Sequence, residues 1–149
     1  MKIIYVAIIA LMTFSCKNMV EQAVADTFNE IINTGEVGEP EEWDTFYATF
    51  QEAIKTNDTY FLEGRSYPSS TYEANLKIIK EIQGDESLLN YFTETAKGKK
   101  LDKSDPYFTD VEAVENYHYV EYEGGREFLR LTFGQIYGAF VLVDAQWFK

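Results

Sequence analysis

Cysteine is almost missing from this chain of 149 residues: Cys16 is the only one. A domain with one thiol has no internal disulfide to make. Histidine is equally scarce, with His118 alone. Basic side chains are few, 13 against 25 acidic, for a formal charge of −12. That balance lacks the basic footprint that nucleic acid or an anionic membrane surface requires of a direct partner. No apolar run is long enough to span a bilayer comfortably. There is no Gly-rich phosphate loop, no His/Cys metal cluster, no nucleophile elbow and no paired-histidine motif. Internal repeats and low-complexity tracts are absent too, and neither a metal nor a cofactor is expected.

What the chain does have is aromatic side chains, at 16% of residues. They argue for a packed or ligand-facing interior rather than disorder. The N-terminus is equally distinctive. Met1-Lys2 and the mostly apolar stretch Ile3 to Ser15 have the form of an export signal. The adjoining Thr13-Phe14-Ser15-Cys16 resembles the lipobox of bacterial lipoproteins, which makes Cys16 the expected lipidation site. The expected organisation is a signal segment at 1–15, a tether with an amphipathic helix at 16–40, and one domain at 41–149.

The last third reads as an antiparallel β-meander. Tyr117 to Glu123 and Arg126 to Phe133 flank Gly124-Gly125, a pair suited to a two-residue turn with positive φ. That turn sets Glu123 opposite Arg126, Tyr119 opposite Arg130 and His118 opposite Leu131. One face then carries His118, Val120, Leu129, Leu131 and Phe133; the wetter face carries Tyr119, Glu121, Arg126, Arg130 and Thr132. A second turn at Tyr137-Gly138 leads into a strand from Ala139 to Phe148, pairing Phe133 with Leu142 and Leu131 with Asp144. A one-residue slip there reverses every side chain.

Upstream the pattern is helical. Ala23, Val24, Phe28, Ile31 and Ile32 predict a helix from about Val20 to Asn33. Trp43, Phe46, Tyr47, Phe50, Ala53 and Ile54 predict a second, begun near Pro40 and ended near Asn57-Asp58. Tyr60 to Tyr67 reads as extended before Pro68. Ser70-Thr71-Tyr72-Glu73 has the form of a capping box for a helix carrying Leu76, Ile79 and Ile82 and ended by Gly84. Asp85 caps another, with Leu88, Leu89 and Phe92 inward, running to about Lys97. The stretch from Lys97 to Pro106 reads as a loop. Its four lysines are a solvated surface or a contact for lipid headgroups or an acidic partner.

Helices followed by a terminal meander make an α+β fold, in the order of the NTF2-like cone. The stretch Trp43-Asp44-Thr45-Phe46-Tyr47-Ala48-Thr49-Phe50 through Asn57-Asp58, the Tyr67-Pro68 pair, and the Gly138-Ala139-Phe140-Val141-Leu142-Val143 ending resemble NTF2-like lipoproteins of bacterial envelopes. The resemblance covers roughly residues 43 to 148. It implies a pocket between sheet and helices. Some members of such families are isomerases or dehydratases and many only bind, so the fold transfers better than the function.

Within that frame the candidate ligand-binding residues are His118, Asp144, Tyr122 and Leu131. With both turns as drawn, His118 and Asp144 share a face and flank Leu131, their backbones about 10 Å apart. Such a pair can grip a ligand or perform proton transfer. An isolated core histidine and an edge carboxylate fit the same pattern. Tyr117, Tyr119 and Tyr122 can form a stacking surface or serve as ordinary strand residues. The expected function is therefore an envelope-anchored, non-catalytic module for a small ligand or an envelope protein. A cofactor-free acid–base enzyme using His118 and Asp144, and a structural subunit that dimerises through the open sheet face, are the alternatives.

Overall fold

Four antiparallel strands in the order β1 (Lys99–Lys100), β2 (Glu115–Glu123), β3 (Phe128–Ile136) and β4 (Ala139–Phe148) form the sheet. A computed structural model describes residues 39–149, which fall within one compact unit. The signal segment, Cys16 and the helix expected near 20–33 lie outside the described residues. The three long strands are the expected meander. The short β1 is an addition: the segment expected as loop from Lys97 onward contributes two residues to the sheet edge. Leu101 anchors it, being buried and donating its N–H to the Tyr117 carbonyl at 2.8 Å.

The β2–β3 register differs from the expected one by two residues. The connection has four residues rather than two, with Gly125 at φ +88° and the Gly124 N–H bonded to the Glu127 carbonyl at 2.8 Å. Glu123 therefore faces Phe128, Tyr119 faces Thr132, and His118 faces Phe133 instead of Leu131. A shift of two preserves the side-chain alternation, so His118, Val120, Leu129, Leu131 and Phe133 still share one face.

The β3–β4 hairpin starts as expected, with Tyr137 and Gly138 both at positive φ and Phe133 opposite Leu142. A bulge then intervenes between Phe133 and Thr132. Asp144 consequently pairs with Thr132, and Ala145 takes its place opposite Leu131. One inserted residue reverses the face of every residue beyond it. Asp144 thus lies on the opposite side of the sheet from His118, a correction to the expected pair.

Helices cover the His118 face. In α1 (Trp43–Thr56), Phe46, Tyr47, Phe50, Ala53 and Ile54 are buried at helical spacing, and Asn57 ends the helix in the left-handed region. The next segment is not extended throughout as expected. Asp58 accepts the Phe61 N–H at 3.0 Å and starts α2 (Thr59–Gly64). Only the residues just beyond it run beside the sheet, where Ser66 bridges to Leu142. The helix α3 (Tyr72–Gly84) has the expected length, but its capping box does not form: Thr71 is the N-cap, makes no side-chain cap bond, and shares its hydroxyl with Ser69. Asp85 caps α4 (Glu86–Asn90) through Ser87 N and Leu88 N, and the chain continues as a π-helical turn at Tyr91–Thr95. Phe46, Phe50, Ile54, Ile79, Ile82, Leu88 and Phe92 pack with Val120, Leu129, Leu131, Phe133 and Leu142 in one core. Full burial of each such side chain stabilises the fold by about 1.5–3 kcal/mol.

The other sheet face is strapped by residues 101–114. Arg130, only 5% exposed, is ion-paired with Asp105 at 2.8 Å and Glu121 at 2.6 Å. Its guanidinium also sits 4.3 Å from the Tyr119 ring centre and 5.0 Å from that of Tyr107. Further along, Val111 donates its N–H to the Tyr117 hydroxyl at 2.9 Å. Val114 packs so close to Gly134 that a Cβ there would lie 2.2 Å from Val114 Cγ1.

Both margins of the sheet are also occupied. On the β4 side, Leu142 donates to the Arg65 carbonyl and accepts from Tyr67 N. Beside it Asn75 bonds to Val143 and Ala145. On the β2 side, beyond β1, the Tyr91 hydroxyl donates to the Glu121 carbonyl at 2.6 Å.

Candidate functional site

A cleft of about 290 Å³ opens where β1, the start of β2 and the β3–β4 hairpin meet the chain entering α1. Pro40, Glu41, Glu42, Trp43, Lys100, Asn116, His118, Gln135 and Phe140 line it. Its wall is aromatic. The Trp43 indole stacks on the His118 imidazole with centroids 4.5 Å apart and planes 8° from parallel. It also meets Phe133 and Phe140 edge-on at 5.4 and 5.3 Å. Gly98 makes this possible, since a Cβ there would lie 2.0 Å from Trp43 Cζ2.

The polar part of the frame is mostly self-satisfied. The Glu41 carboxylate accepts from Arg65 at 2.9 and 3.3 Å and from the Phe140 N–H at 2.9 Å. Its backbone N–H bonds to the Gly138 carbonyl at 2.8 Å. Gln135 is buried, donates to the Glu41 carbonyl at 2.8 Å, and accepts from Asn116 Nδ2 at 2.6 Å. Glu41 and Gln135 therefore brace the cleft rather than face a ligand.

His118 is different. It is half-buried, and its Nδ1 lies 3.0 Å from the Asn116 carbonyl oxygen. A carbonyl only accepts, so Nδ1 carries the proton and Nε2 keeps a bare lone pair. Burial holds the imidazole below its ordinary pKa, and the Lys100 charge pushes the same way. The Asn116 carbonyl and Asp44 oppose them without reversing the direction. The ring is neutral near pH 7. Asn116 reaches this place through a second bulge, at φ +49°, between Glu115 and His118.

Of the residues expected from sequence, His118 alone lines this cleft. Leu131 is fully buried in the core beneath the helices. Tyr122 shares the inner face but packs edge-on against Tyr91 at 5.0 Å. Asp144 lies across the sheet, where burial raises the pKa of its carboxyl. The His118–Asp144 arrangement is not assembled. Cys16 is outside the described residues.

Lys100 belongs to the lysine-rich segment expected as a solvated surface or a contact for lipid headgroups or an acidic partner, not as part of a cleft. Cross-strand pairing with His118 brings it to the cleft. Trp43 was legible as part of an apolar stripe but not as a cleft wall. Among the described residues no cluster of three or more His, Cys, Asp or Glu side chains is arranged to hold a metal ion. No protein-family model, curated protein or solved structure matches this chain. The cleft's chemistry must therefore be argued from its own atoms. It offers an aromatic wall, one acceptor nitrogen at His118, one cation at Lys100 and the exposed carboxylate of Glu42.

Proposed function

We propose that this protein is an NTF2-like envelope lipoprotein, anchored through Cys16, whose α+β domain binds a small ligand in the Trp43–His118–Lys100 cleft without transforming it. The observation that carries the reading is the Trp43–His118 stack. It orients an imidazole whose tautomer the Asn116 carbonyl sets, with Nε2 as an acceptor, in a cleft of about 290 Å³. Native mass spectrometry of the mature protein, gently extracted from source membranes, tests it. The expected spectrum carries a small adduct that His118→Leu removes; a bare protein mass for the wild type overturns the reading.

The absence of chemistry in this reading rests on the lone histidine. A positioned general acid or base contributes about 10²–10⁴-fold, and the expected pair needed two such groups on one face. Asp144, the expected partner, pairs with Thr132 on the other face. Assembly through an open sheet face has less support, because residues 101–114 occupy much of that face themselves. Anchoring rests on the apolar segment that ends at Cys16. Cys16→Ser is expected to move the protein from membrane to soluble fractions or to block its processing; unchanged fractionation and migration would refute the anchor.

A further inference from the structure

Lys100 is the one cation that lines the cleft, and it forms no ion pair among the described residues. It shares that state with other exposed lysines such as Lys77 and Lys80, and is set apart from them by its place on the cleft lining. Arg65 and Arg130 are both matched to carboxylates. A lysine on an edge strand commonly serves only to keep other strands away. In β1, however, the two lysines divide. Lys99 turns to the strapped face, its ammonium 5.9 Å from the Tyr119 ring centre. Lys100 lies directly opposite His118, and its side chain reaches the cleft. Directly opposed residues in an antiparallel pair have Cβ atoms about 4.5–5.5 Å apart. The pairing therefore brings the Lys100 side chain and the His118 ring to the same cleft. Of the two glutamates on the lining, Glu41 is already bonded to Arg65 and the Phe140 N–H. Glu42 is exposed on the same lining.

From this juxtaposition we infer that the ligand is a small carboxylate bearing a hydrogen-bond donor next to the carboxyl group, of the 2-hydroxy acid kind. The carboxylate pairs with Lys100, the neighbouring hydroxyl donates to His118 Nε2, and the carbon skeleton lies against Trp43. This rests on the cleft being a binding site. It adds the class of ligand.

Because His118 is the only histidine, its ring nitrogens give unambiguous NMR signals from the whole mature chain. The probes are lactate and propane-1,2-diol, which have the same skeleton with and without a carboxylate. Lactate is expected to shift the Nε2 resonance saturably, with a millimolar or tighter dissociation constant. The diol at equal concentration is expected to leave it in place. Lys100→Ala should weaken lactate by about tenfold or more, as for a lost charge-assisted hydrogen bond, and Lys100→Arg should restore most of the affinity. Equal responses to lactate and diol, no saturable response to lactate, or lactate binding indifferent to Lys100→Ala would each overturn the inference. A native adduct that contains no carboxyl group would also overturn it while leaving the binding reading intact.

Discussion

Asn75 and Ala145 are joined at 2.9 Å, the Asn75 side-chain oxygen accepting the Ala145 backbone N–H. The same amide donates to the Val143 carbonyl at 3.1 Å, so one fully buried side chain spans the β4 bulge. Asn75→Ala strands a donor and an acceptor in the interior, at about 1–3 kcal/mol for each unsatisfied group. We expect a loss of about 2–4 kcal/mol in denaturant unfolding. A midpoint unchanged by the substitution would show that the bulge satisfies itself.

The α1 stripe allows a second test. Phe50 is buried against Phe46 and edge-on to Phe133. Phe50→Ala should cost about 3–5 kcal/mol, from lost transfer energy and the cavity left behind. Stability indistinguishable from wild type would mean that this face of α1 does not pack on the sheet.

Gly98 tests the cleft wall without touching its polar atoms. A methyl group there meets the Trp43 indole well inside contact distance. Gly98→Ala should cost about 1–3 kcal/mol as overpacking. It should also shift the His118 ring proton resonances as the stack opens. Retained chemical shifts would show that Trp43 is not held by this contact.

His118 links the site to pH. Its folded pKa lies below the ordinary 6.5 because burial, and then Lys100, disfavour the charged ring against the Asn116 carbonyl and Asp44. The unfolded chain therefore binds this proton more tightly than the folded one. The stability contribution is complete above about pH 6.5 and is lost as pH falls through the folded value. NMR titration should place the midpoint below 6.5, and Lys100→Ala should move it upward. A midpoint at or above 6.5 in the wild type contradicts this environment.

How far the sequence could be read depended on the physics of each signal. The α1 stripe was legible because six apolar side chains at helical spacing leave one face to bury. The inner face of β2 and β3 survived an error in loop length, since a two-residue shift keeps parity. Asp144 was misplaced by one inserted residue, and nothing local to β4 announces the bulge; its stabiliser, Asn75, lies in a distant helix. Tyr60 to Gly64 became helical because the Asp58 cap outweighed a bias from Pro68 that acts only on its neighbour. Lys100 was legible as one of four lysines on a surface segment, but its place in the cleft was not, for a related reason. A two-residue strand has no period, and its partner His118 is fixed by pairing across the sheet.

The occupied margins of the sheet have a bearing on how copies of this chain meet. An exposed ladder of peptide groups is a template on which further strands can grow without limit. Here Tyr67, Asn75 and the Tyr91 hydroxyl already hold backbone groups at those rims, and β1 presents two lysines where it ends the ladder. Copies that approach these rims would meet side chains before backbone. Strand addition at the β4 rim would first have to displace these groups.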